Sequence, residues 1–74
     1  MRNLFGFNLR VLRVMKRITQ AELAKKVQLS QSTIAQIESG RKDTTVSVLL
    51  RLAKALQVKP GILLTDALIR DGEK

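Results

Sequence analysis

No cysteine, histidine, tyrosine or tryptophan occurs anywhere in the 74 residues, and proline appears once. Without cysteine there is no disulfide and no thiolate metal site, and without histidine the commonest acid–base group and metal ligand is missing as well. The six acidic residues are scattered among helix caps, a loop, the last helix and the tail. Neither a nucleophile–base pair nor a metal cage can be assembled from that set, so an enzyme is not expected. Arg10 and Arg13 interrupt the apolar N-terminus. They leave no run long enough for a signal-peptide core or a membrane span, and the reading expects a cytoplasmic protein with no cofactor and no small-molecule ligand.

What is abundant is positive charge. Fourteen Lys and Arg oppose six Asp and Glu, giving a formal charge of +8 and a sequence pI near 11.0. A polyanion is the expected partner, and composition alone does not separate nucleic acid from an anionic membrane surface. A chain of this size buries only about 60% of its unfolded surface. Association with a second copy is therefore the expected further source of burial.

Apolar residues recur at spacings of three and four from end to end, without the alternation of a sheet, which predicts an all-α, compact five-helix bundle. The first helix spans roughly Asn3 to Lys16. Thr19 with Glu22 forms a capping box for a helix through Val27, and Ser30 caps the next one through about Ser39, with Gly40 placed to end it. Thr45 caps a helix over Val46 to Leu56, and Pro60 starts a last one to about Ile69. One domain over residues 1–70 is expected, with 71–74 as a frayed tail. Only Gln28 and Leu29 separate the second and third helices, so that pair must cross steeply as a helix-turn-helix.

Turning Ser30 to Ser39 around a helix at about 100° per residue puts Thr33, Ile34 and Ile37 on one side. Ser32, Ala35, Gln36 and Ser39 fall on the other, with Gln31 on the flank. That outward face carries no charge before Glu38, and a merely solvated face usually does. Glutamine can grip adenine N6 and N7 with both halves of its amide, and serine is permissive, so such a face suits reading base edges.

The ordered set Phe5-Gly6, Leu9-Arg10, Leu12-Arg13, Ile18-Thr19-Gln20, Leu23-Ala24, Leu29-Ser30, Thr33-Ile34, Ile37-Glu38, Gly40-Arg41, Leu49, Leu52-Ala53, Leu56 and Leu63-Leu64 resembles the lambda-repressor-like helix-turn-helix domains of the Xre and Cro type. The resemblance to small stand-alone, controller-protein-like members covers nearly the whole chain. It implies a sequence-specific regulator of transcription in a bacterium or phage, a repressor or autoregulator that binds double-stranded DNA through the helix Ser30 to Ser39. Carried over by position, Gln31, Ser32 and Gln36 match base-reading residues, and Gln20 and Ser30 match phosphate-holding ones at positive helix ends. Arg41 and Lys42 follow the reading helix directly and would reach the adjacent backbone. In the family the acid matching Glu38 pairs with a first-helix arginine, here Arg13, as a structural ion pair. Two positions depart from the family pattern. Gln28 stands where glycine is common in the turn, and Asp43-Thr44 stands where proline is common.

The apolar surface exceeds what one core can bury. Phe5, Leu9 and Leu12 serve the core while Leu4, Phe7, Val11, Val14 and Met15 form a second stripe. In the last helix Leu63 and Leu64 serve the core, leaving Ile62, Leu68 and Ile69. A homodimer through the last helix, with Ile62, Leu68 and Ile69 at the seam, would place two reading helices on an inverted repeat. The first-helix stripe has three open uses: joining that seam, making a second interface, or packing under the C-terminal segment. Two rival functions remain, a helix-turn-helix adaptor or antitoxin gripping a protein through these stripes, and a basic protein lying on a membrane surface.

Overall fold

The structure is a computed structural model that describes residues 4–64. Among these residues are four α-helices: α1 (Leu4–Met15), α2 (Gln20–Val27), α3 (Gln31–Ser39) and α4 (Val46–Leu56). A short 3-10 turn follows at Pro60–Leu64. The expected fifth α-helix is thus corrected over its described part, and its continuation to Ile69 lies outside the described residues.

A local bond and a distant side chain meet at the 3-10 turn. Pro60 offers no amide hydrogen, and the Ile62 N–H donates to the Lys59 carbonyl three residues back at 3.0 Å. Asn8, fully buried on α1, donates its side-chain amide to the carbonyls of Ile62 (3.3 Å) and Leu63 (2.9 Å). In a continuing α-helix those carbonyls would accept from residues four further on. The tighter turn also redistributes the side chains. Leu63 is fully buried, but Leu64 is 59% exposed rather than in the core where the sequence pattern puts it. Ile62 instead packs half-buried against the core.

The core is built from Leu9 and Leu12 of α1, Leu23, Ala24 and Val27 of α2, Ile34 and Ile37 of α3, Leu52, Ala53 and Leu56 of α4, and Leu63. Phe5, Ile18, Leu29, Val48 and Leu49 close its edges. Each of α2, α3 and α4 starts on the hydroxyl expected of it. Thr19, Ser30 and Thr45 accept from the backbone N–H three residues on, at 3.0, 3.0 and 3.1 Å. Glu22 completes the Thr19 capping box by accepting from the Thr19 N–H at 2.8 Å. That backbone hydrogen bond, followed by the one with the Thr19 side chain, holds the Glu22 carboxyl below its ordinary pKa. Its stabilisation is therefore present above the unfolded value and fades as pH falls through the lowered folded one.

The helix ends follow one rule. Arg17, Gln28, Gly40 and Gln57 all have left-handed backbones, with φ of 59°, 61°, 84° and 59°. In each case the next residue's N–H reaches back five residues: Ile18 to Arg13 (3.1 Å), Leu29 to Ala24 (2.9 Å), Arg41 to Gln36 (2.9 Å) and Val58 to Ala53 (3.0 Å). These are Schellman closures, and three of the four residues after the left-handed one are apolar and pack inward, as the motif favours. Ile18, Leu29 and Val58 thus hold the chain in turns that only Gly40 enters without strain.

Gly6 is needed for a different reason. A Cβ there would lie 2.8 Å from the Glu38 carbonyl oxygen and collide with that of Ile37, so α1 crosses the end of α3 at backbone contact. Gly6→Ala is expected to lower stability by about 1–3 kcal/mol. Gln57→Gly, which relieves a left-handed side chain away from α3, is expected to raise Tm by about 2–6 °C. Thermal unfolding of the two variants checks both signs.

Candidate nucleic-acid interface

α3 carries its two faces as its sequence divides them. Ile34 and Ile37 are buried, Thr33 is half-buried, and Gln31, Ser32, Gln36 and Ser39 are exposed, with Ala35 intermediate. The exposed side chains are short or bear amides, with no cation until Arg41 and Lys42, both exposed just beyond the Gly40 turn. Ser30 opens the helix with its hydroxyl accepting from the Thr33 N–H, while Ser30 Oγ and Thr33 Oγ1 lie 2.8 Å apart. The N-termini of α2 and α3, at Gln20 and Ser30–Gln31, present unpaired backbone N–H groups and positive dipole ends that favour a phosphate oxygen.

Glu38, the single acid on α3, does not face outward. Its side chain is 4% exposed and that of Arg13 is 12% exposed. Arg13 donates Nε to Glu38 Oε2 at 2.6 Å and Nη2 to Oε1 at 3.2 Å, and its Nη1 donates to the Ile18 carbonyl at 2.8 Å. The structure therefore brings Arg13 and Glu38 together as a two-pronged pair, the geometry that makes arginine–carboxylate contacts strong. Gln20 joins them. Its Nε2 donates to Glu38 Oε1 at 3.1 Å, so this side chain, assigned to phosphate by position, is here a strut between the start of α2 and the end of α3.

The turn between α2 and α3 accommodates Gln28 with φ 61° and ψ 43°, so the departure from glycine leaves the left-handed geometry unchanged. Of the proposed seam, Ile62 is on the core as described, and Leu68 and Ile69 lie outside the described residues. Sequence reasoning missed Asn8 and Arg51, whose guanidinium donates to the Val27 carbonyl at the end of α2 at 2.7 Å. Asn8 had a signal. It falls in the 5, 8, 9, 12 register of the buried face of α1, where a polar residue needs a buried partner. It also missed the apolar residues exposed on α4, Val46 and Leu50.

With this geometry in place, comparison with known proteins is decisive. A family profile described as Helix-turn-helix matches residues 9–63. The chain belongs to this helix-turn-helix family. A relative from Sinorhizobium fredii, named as an uncharacterized HTH-type transcriptional regulator, is 40% identical over 65 residues, covering 88% of this chain and 84% of its own. Among solved structures, the restriction-modification controller protein C.AhdI of Aeromonas hydrophila superposes with a TM-score of 0.80 at 34% identity, covering 82% of this chain and 92% of that one. The DNA-binding domain of the P22 c2 repressor does so at 0.80 and 38%, covering 86% of each chain. A P22 c2 repressor structure in complex with a synthetic operator aligns at 0.77 and 37%, with 84% and 94% covered. This helix-turn-helix protein is thus of the lambda-repressor type, a class of DNA-binding transcriptional regulators. Among the described residues, no helix is long and apolar enough to cross a membrane, and no group of His, Cys, Asp and Glu could hold a metal.

Because Arg13 and Glu38 are largely shielded, removing one partner strands the other. Glu38→Ala is expected to cost about 3–5 kcal/mol, whereas replacing the pair by Arg13→Met with Glu38→Leu costs much less. Urea unfolding of Glu38→Ala and of the double variant checks this, and equal losses for the two would contradict it.

Proposed function

We propose that this helix-turn-helix protein reads specific double-stranded DNA as a homodimer on an inverted repeat and acts as a repressor or autoregulator in the cytoplasm. The observation that carries the proposal is the exposed, uncharged Gln31, Ser32 and Gln36 face of α3, set over buried Ile34 and Ile37 in a chain of formal charge +8. Cations on such a face would bind any phosphate backbone. Amides and hydroxyls reward the matching base edge, with about 1–3 kcal/mol per bidentate pair.

In this reading α3 lies in the major groove, and Gln31, Ser32 and Gln36 face bases. Ser30, Arg41 and Lys42 hold phosphates, with Gln20 adding the second N–H of its amide nitrogen and the α2 N-terminus. The P22 c2 repressor with its synthetic operator supports DNA as the ligand at this level of similarity. Dimerisation is proposed through the C-terminal segment, with Leu68 and Ile69 at the seam. Leu64 replaces Ile62 there, since Leu64 is the exposed member of the 3-10 turn. Occupancy and dimerisation would then both rise with the protein's own concentration.

A second reading, an adaptor that grips a protein partner, has one observation in its favour: Phe7, Val14 and Met15 stand exposed along α1. Selection of binding sites from random DNA at a stated salt concentration separates the two. An enriched inverted repeat is expected, and no enrichment would favour the adaptor. On selected sites, Gln36→Ala should relax preference at one base pair per half-site, and Arg41→Ala should weaken all sequences alike, flattening the salt slope by about one unit per lost phosphate contact. A uniform loss for Gln36→Ala would remove it from the readers. Ile69→Asp should shift sedimentation toward monomer, and an unchanged dimer would place the seam elsewhere.

A further inference from the structure

A band of positive charge lies apart from α3. One shallow cleft between α2 and the second half of α4 is lined by Lys26, Arg51 and Lys54 together with Val27, Gln28 and Gln57. A neighbouring cleft is lined by Arg17, Lys25 and Lys26 with Ile18 and Glu22. Lys26 belongs to both, so the two form one continuous surface with five cations and a single acid. That acid, Glu22, accepts in the Thr19 capping box and its charge also faces Lys26, so the band keeps a formal excess of positive charge. No residue of α3 or of the loop after it lines either cleft, although Gln28 of the turn before α3 does.

We propose that this band holds the phosphate backbone of a second DNA duplex, so that one molecule reads a site through α3 and gathers another segment through α2 and α4. Charge decides the class of occupant. Five cations against one acid match a regularly spaced polyanion, and Arg17, Lys25, Lys26, Arg51 and Lys54 are all exposed. A folded protein partner would need apolar anchors at the centre of the contact. None of the exposed large hydrophobic residues, Phe7, Val14, Met15, Val46, Leu50 and Leu64, lines either cleft. Arg51 is fixed in place by its bond to the Val27 carbonyl and keeps further N–H donors for a phosphate. All five cations stand on α2, α4 and the turn before α2, and none on α3 or the loop after it, which is the ground for a second duplex rather than the flanks of the first. Contacts of this kind carry no sequence preference and weaken steeply with salt.

This inference rests on DNA being the ligand of α3. Its test uses the full chain, an immobilised duplex about two turns long (~21 base pairs) that carries the site selected from random DNA, and a labelled duplex of unrelated sequence. Wild-type protein bound to the first should capture the second. The Lys25→Gln, Lys26→Gln, Lys54→Gln variant should bind a single duplex within about two-fold of wild type yet lose capture by about ten-fold, and the variant with arginine at those three positions should retain it. Equal loss of single-duplex binding would place these cations on the first duplex and overturn the inference. Single-duplex binding by wild type without capture would overturn it while leaving the α3 reading intact. Failure to bind any duplex would instead overturn the α3 reading, and this one with it.

Discussion

The carboxylate of Glu38 is the point through which α3 is held. It accepts from Arg13 twice and from Gln20 once, so α1, the start of α2 and the end of α3 meet on two oxygen atoms. Arg13 adds a bond to the Ile18 carbonyl, which brings the α1–α2 turn into the same network. A carboxylate this shielded from water is costly unless its charge and lone pairs are matched, and here the planar guanidinium and an amide match them. Gly6 is part of the same device. Because it has no Cβ to strike the carbonyls of Ile37 and Glu38, α1 lies close enough for Arg13 to grip the acid from its side.

From that brace the properties of the exposed face follow. Serine and glutamine discriminate between bases only if the helix bearing them arrives in one orientation, since a loosely seated amide exchanges its base partners for water. α3 is fixed at its end by Glu38, along its inner face by Ile34 and Ile37, and at its start by the Ser30 cap. The turn before it is locked by Leu29, whose N–H closes α2 while its side chain packs inward. The chain accepts left-handed side chains at Arg17, Gln28 and Gln57 as part of the cost of these sharp closures.

Much of this was legible in the sequence because the deciding interactions are local. Thr19, Ser30 and Thr45 cap helices three residues ahead, and apolar spacing alone separates the inner and outer faces of α3. Non-local contacts account for the departures. Nothing near Pro60 announces that Asn8, more than fifty residues away, takes the carbonyls of Ile62 and Leu63. Hence the 3-10 turn, and the exchange of roles between Ile62 and Leu64, could not be read from periodicity. Gln20 is similar: position suggested a phosphate ligand, but its bond to Glu38 depends on how α2 and α3 cross. For Gln31, Ser32 and Gln36, sequence supplied the face and the fold its orientation.

The central claim is that the outward face of α3, held by this brace, is what meets DNA. Backbone amide shifts of isotopically labelled protein, followed while a duplex carrying its preferred site is added, test that most directly. The account predicts the largest changes from Ser30 through Gln36, with further changes at Gln20, Arg41 and Lys42. Largest changes along Phe7, Val14 and Met15 of α1, with α3 unmoved, would contradict it.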